Sequence, residues 1–181
     1  MSLVDNPARV AAPVLITPRL RLRPHRPNDL EACAAMWGDE AVARFIGGRP
    51  STRDETWSRI LRYAGLWALL GYGYWAVERL SDGRFIGDVG FADFKREISP
   101  SMEGLPEMGW AFSADVHGQG MATEAVRAAL SWLDDRADAS VCIIAPENGA
   151  SIRVAAKAGF KELAWTTFRG DPTVMYRRER P

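Results

Sequence analysis

Two glycines one residue apart, Gly118 and Gly120, lead without a break into an alanine-rich amphipathic run that begins Met121-Ala122-Thr123-Glu124-Ala125. This junction constrains the chain more than any other stretch. Glycine lets the backbone turn without a Cβ penalty, and the first amides of the helix that follows have no partner within it. Roughly half a positive charge from the helix dipole adds to their pull on an anion. The turn therefore either seats a phosphate or merely shapes a strand-to-helix connection. No Lys-Ser or Lys-Thr follows Gly120, which excludes a nucleoside-triphosphate loop, and the glycine spacing is wrong for a dinucleotide fingerprint.

The rest of the chain has alternating strand and helix signals and no repeat, linker or low-complexity segment. At 181 residues it fits one domain over 1–181, with 1–13 as a flexible N-terminal arm. Val14 to Pro24 alternates leucine with arginine, which predicts one strand with its leucines on a shared face. Asn28-Asp29 offers an N-cap for a short helix ending near Gly38, and Phe45 to Gly48 lies in a loop. Thr52 and Glu55 form a capping box for a second helix with an apolar stripe of Trp57, Ile60, Leu61, Ala64 and Ala68. Strands at 74–79 and 84–91 flank Asp82-Gly83, a hairpin signal.

After a polar loop from Lys95 to Gly104, a strand from Pro106 to Phe112 runs into the glycine turn. The helix from about Gly120 to Arg136 puts Ala122, Val126, Ala129 and Leu133 on one face. Val141 to Ala145 is apolar throughout, the pattern of a strand buried on both faces. A helix over Asn148 to Ala158 stops at Gly159, and a last pair of strands ends near Arg178.

The 23 basic and 23 acidic residues cancel, so neither nucleic acid nor an anionic membrane is the expected partner. Cys33 and Cys142 are too few for a disulfide framework or a cysteine metal cluster, and the two histidines lie far apart, so no metal is expected. The cytoplasm fits this usage. No signal peptide or bilayer-spanning run is visible. The trace is that of a monomer or homodimer.

The segment His117-Gly118-Gln119-Gly120-Met121-Ala122-Thr123 resembles the pyrophosphate-binding signature of the GNAT N-acetyltransferases. A second, more specific likeness is Asn148-x-x-Ser151 followed by Gly159-Phe160, placed after the buried strand as in that family. Together they resemble the branch that acetylates ribosomal-protein N-termini at alanine or serine, in which the position of His117 is often aromatic. The resemblance runs in element order from the Thr17-Pro18-Arg19-Leu20 strand onward.

It implies an α/β (α+β) GNAT fold: a mixed, mostly antiparallel sheet of about seven strands, flanked by helices on both faces, with a splayed parallel pair at 106–112 and 140–145. It further implies that acetyl-CoA binds as co-substrate. Its phosphates would meet the amides of 117–123, and its pantetheine arm would pair with free backbone near Trp110, Ala111 and Phe112. Asn148 would contact or orient that arm, and Ser151 would hydrogen-bond the coenzyme sulfur.

Direct attack by a bound amine needs no enzyme nucleophile, which leaves both cysteines to the core. Glu107 is the candidate base acting through water, its competing reading being a solvated strand-end carboxylate. An α-amine with pKa near 8 is about a tenth neutral at pH 7, and lysine near 10.4 less than a thousandth. A protein N-terminal amine is thus the easier acceptor. The alternatives are a small-molecule amine acceptor and a non-catalytic coenzyme-binding sensor. Trp37, Phe45, Trp57, Trp67 and Trp75 are core or cleft aromatics with no catalytic role assigned.

Overall fold

The computed structural model describes residues 12–181, so the arm expected at 1–13 falls, apart from Ala12 and Pro13, outside the described residues. Eight strands form one sheet: β1 Leu15–Ile16, β2 Leu20–Arg23, β3 Tyr74–Arg79, β4 Phe85–Ala92, β5 Glu107–Phe112, β6 Ala139–Ile144, β7 Lys161–Phe168 and β8 Asp171–Glu179. Their order is β1-β2-β3-β4-β5-β6-β8-β7, antiparallel at every pairing except β5 with β6. Helices α1 Leu30–Trp37, α2 Glu40–Ala43 and α3 Arg53–Leu70 join β2 to β3. Helix α4 Met121–Leu133 follows β5, and α5 Gly149–Lys157 follows β6.

The single strand expected over 14–24 is instead a tight hairpin, and this accounts for the strand beyond the expected seven. Pro18 fits a turn position that fixes its φ. The Thr17 amide donates to the Leu20 carbonyl at 2.9 Å, and the Leu20 amide returns to the Thr17 hydroxyl at 3.0 Å. Leu15 then faces Leu22 across the pair. Leu20 and Leu22 are fully buried, as alternation requires.

Asp29 precedes α1 as expected but does not cap it through its side chain. Its carboxylate accepts both arms of the Arg23 guanidinium at 2.7 Å, and Arg23 also donates to Glu78 at 2.6 Å. Burial opposes the charge on Asp29, but the bonds from Arg23 and from the Arg26 amide outweigh it and hold the carboxyl below its usual range. Its stabilisation is therefore complete above the unfolded value, near pH 4, and is lost as pH falls through the lower folded value. Asp29→Asn should lower unfolding free energy by about 3 kcal/mol at pH 7, because Arg23 keeps Glu78 as its one carboxylate, and the deficit should shrink in urea melts taken below pH 4. A pH-independent deficit would refute the ion-pair account.

Helix α3 carries the expected capping box, with Thr52 and Glu55 bonded reciprocally. Its buried line, however, is Thr56, Ile60, Tyr63 and Trp67, while Leu61, Ala64 and Ala68 face solvent. Counting apolar residues misses this line, because Thr56 buries its hydroxyl by donating to the Thr52 carbonyl at 2.9 Å. On one side α4 and α5 pack with Trp75, Val77, Val89 and Phe91; on the other, α1 and α2 pack with Ala76, Phe85 and Ala111. Trp37, Trp67 and Trp75 are core, Trp57 is half-buried and Phe45 is exposed.

Candidate active site

Gly118 and Gly120 both sit at positive φ, +75° and +77°, a conformation that side chains rarely adopt. Gly120 is the N-cap of α4, and no side chain caps it. The first-turn amides of a 13-residue helix thus face outward unclaimed by a cap. Around them the turn is fixed by its own side chains. His117 Nε2 donates to the Phe112 carbonyl at 2.9 Å, and Gln119 Nε2 donates to the Asp115 carbonyl at 2.8 Å.

Glu124 places a carboxylate in this electropositive turn, where it would compete with an anion. The N-terminal hairpin neutralises it: Thr17 donates to it at 2.6 Å, and the Arg19 guanidinium at 2.6 Å. Partial burial works against the charge, but those bonds keep the Glu124 carboxyl below its usual range. Arg19 also donates to the Gln119 carbonyl at 2.9 Å, so one arginine ties hairpin, turn and helix together. No local sequence signal couples residues 105 apart, and this clamp was not expected.

Strands β5 and β6 pair at a single register point, Glu107 with Val141, and the Val141 amide donates to the Pro106 carbonyl at 3.1 Å. Beyond that point they diverge. Both open toward their C-terminal ends, so α4 and α5 begin at the open end of the gap. The Ser113 amide donates to Ile86 of β4, and by alternation the backbones of Gly109 and Ala111 also face β4. Those of Met108, Trp110 and Phe112 face the gap. Of the three residues expected to offer free backbone, Ala111 is therefore spent on β4 and the Phe112 carbonyl on His117. Trp110 is the residue with both groups directed into the gap.

At the start of α5, the Asn148 side-chain oxygen accepts the Ser151 amide at 3.1 Å, an N-cap. Ser151 is half-buried in the first turn. Glu107 lies at the closed end of the gap and is 6% exposed, so it is not a solvated strand end. Arg96 grips both of its oxygens, at 2.6 and 2.9 Å. A carboxylate has about four lone-pair sites, so this fork leaves acceptor capacity on each oxygen.

A GNAT acetyltransferase domain model matches residues 19–161. The chain belongs to the GNAT acetyltransferase family. It is 28% identical over 174 residues to the uncharacterized protein YkkB of Bacillus subtilis, covering 91% of this chain and 95% of that one. A GnaT-family acetyltransferase from Bordetella pertussis superposes with a TM-score of 0.81 at 29% identity, covering 92% of this chain and 99% of its own. A ribosomal L7/L12 α-N-protein acetyltransferase in complex with coenzyme A superposes at 0.74 with 16% identity over 92% and 98% of the two chains, a likeness of fold alone. The mixed sheet with one parallel pair is thus a GNAT sheet, and the protein is an acyltransferase.

Other features of this GNAT domain bear on its chemistry. Cys33 and Cys142 are free and buried, and burial pushes both thiols above their usual range, which suits core residues. Between α1 and β4 lies a polar cluster that sequence reasoning missed. Asp88 accepts from Trp37 Nε1 and from His25 Nε2, both at 2.8 Å, and with Cys33 the potential ligand atoms of His25 and Asp88 lie within 4.8 Å of one another. Both Asp88 oxygens are thereby engaged, and the arrangement locks the chain leaving β2 onto β4. Tyr63 stacks on Tyr74 at 4.2 Å, and the Tyr74 hydroxyl lies where a Cβ on Gly109 would meet it at 2.1 Å. Burial, then the neighbouring Tyr63 and Glu107, keep the Tyr74 phenol protonated. Among the described residues no helix is long and apolar enough to cross a membrane.

Proposed function

We propose that the protein transfers an acetyl group from acetyl-CoA to an amine, with the α-amine of a protein N-terminus as the acceptor class. The observation that carries this reading is the convergence at one gap: Trp110 directs backbone groups into it, and uncapped helix amides stand at its open end. These residues fit the coenzyme. The amides from Gly118 to Thr123 would hold its phosphates, Trp110 its amide-bearing arm, and Ser151 its sulfur. When bound, acetyl-CoA supplies an activated acyl thioester.

The chain supplies position and proton handling. Glu107 takes the acceptor's ammonium proton through water, and Asn148, by capping α5, orients Ser151. A weakly basic α-amine lightens that task. Relative to lysine it starts about 3.5 kcal/mol closer to its neutral form at pH 7, as much as one general base contributes.

Thermal melts with ligand test the binding half of this reading. Acetyl-CoA should raise Tm in a saturable way, by about 2.7 kcal/mol of stabilisation at a hundredfold excess over Kd. A rise with ATP or NAD and none with acetyl-CoA would refute it. Mass spectrometry on peptides differing only in a free or blocked N-terminus then decides the acceptor, because acetylation of internal lysine alone would contradict the α-amine. Ser151→Ala should reduce kcat by about tenfold with acetyl-CoA affinity little changed, the loss of one hydrogen bond to sulfur. An unaltered rate would remove Ser151 from the site.

A further inference from the structure

Arg96 does more than pair with Glu107. Its guanidinium carbon lies 4.6 Å from the ring centroid of Phe94 and 4.5 Å from that of Phe168. Two aromatic rings and a buried carboxylate are the surfaces that recognise an organic cation. They come from three segments: the loop after β4, the start of β5 and the end of β7. That loop is anchored without Arg96. Asp93 accepts from Lys95 and from the Gly104 amide, Thr166 donates to the Ser99 carbonyl at 2.7 Å, and Met102 is buried against Val141 and Met175. The side chain of Arg96 is 19% exposed, so the cage communicates with solvent through the residue that fills it.

We propose that this cage is the cation subsite of the acceptor, filled in the resting protein by its own Arg96, and that the acceptor's ammonium enters by exchange with that guanidinium. The inference rests on the reading of Glu107 as base, with the ammonium in direct contact in place of the bridging water, and adds how the base becomes available. Glu107 is too buried to be left unpaired, so a cation leaves only as another arrives. Guanidinium, never deprotonated in proteins, has no proton to give Glu107, whereas a primary ammonium carries three N–H donors and can lose one. The resting carboxylate is thus paired and inert, and the outer faces of the cage already carry cations, Arg62 at 5.6 Å from the Phe94 centroid and Arg169 at 5.2 Å from that of Phe168, which leaves the Glu107 position to Arg96. A neutral acceptor, or a tetraalkylammonium without N–H groups, does not complete the exchange.

Methylguanidinium is the probe. In the variant Arg96→Ala it should bind saturably and raise Tm at constant ionic strength, while leaving wild type and the double variant Arg96→Ala, Glu107→Gln unmoved. If Arg96→Ala is unstable, methylguanidinium should restore its melting temperature. Absence of a saturable shift, or of restoration, overturns the cage. Propylammonium should displace methylguanidinium from Arg96→Ala, and tetramethylammonium should not; equal displacement by both overturns the N–H requirement.

In turnover with an amine that wild type acetylates, Arg96→Ala should lower the acceptor KM by about tenfold, because the resident competitor is gone. Methylguanidinium should then inhibit competitively against the acceptor. An unchanged KM with no inhibition overturns the exchange. The two readings fail separately. Methylguanidinium held through Glu107 with no amine acetylated sinks the acetyl-transfer reading, and acetylation without methylguanidinium binding sinks the cage.

Discussion

Glu107→Gln is expected to reduce kcat by about 10²- to 10⁴-fold while acetyl-CoA affinity stays within a factor of two or so. The amide keeps the shape of the carboxylate, and its oxygen still accepts one arm of Arg96, so the fold around it should hold. What it loses is basicity. If Glu107 serves only to pair with Arg96, the variant will keep its rate and its pH profile, and only its melting temperature will fall. Measuring kcat/KM against pH for wild type and variant on one confirmed amine separates the two: without its base the variant should depend on the neutral fraction of the amine and recover rate as pH rises toward the pKa of that amine, whereas the loss of a strut leaves the profile unmoved.

The second large effect belongs to Gly120. Its φ of +77° is one that a larger residue adopts only under strain, and a Cβ there would lie 3.6 Å from an Arg19 guanidinium nitrogen. That is ordinary contact, so the strain falls on the backbone of the turn. Gly120→Leu should cost about 1–2 kcal/mol of stability and reduce acetyl-CoA affinity by at least a hundredfold, since the first-turn amides no longer converge. Calorimetric titration checks it. Undiminished binding by a folded Gly120→Leu would remove the α4 turn from the coenzyme site.

What the sequence disclosed and what it hid divide along a physical line. The Thr52 and Glu55 capping box, the hairpin at Asp82-Gly83 and the glycine turn before α4 are local devices, each written within a few residues, and all three stand in the structure. The hairpin inside 14–24 was hidden because alternating leucine and arginine is the same pattern in one strand or two, and Thr17-Pro18 decides between them. The stripe of α3 was misplaced because a threonine satisfied by its own helix occupies a core position. Arg96 and Glu107 lie 11 residues apart across a loop, and His25 and Asp88 lie 63 apart. Their meeting depends on how the sheet brings distant segments together, a relation that residue type and spacing do not encode. Glu107 could be chosen from its place before the turn; the partner that holds it could not.

The lone bridge between Glu107 and Val141 has a consequence for how the molecule comes apart. Five strands lie on one side of that seam and three on the other. Within each group the strands pair antiparallel, at two points for β1 with β2 and at four or more for every other pair, so the sheet's weakest backbone link runs down its middle and not along its rim. Sub-global opening should begin there, with amide exchange at Trp110 fast in the free protein and slow in its neighbours on β4. A ligand laid along the gap would act as the missing rungs, and the cooperativity of the whole sheet would rise with its occupancy.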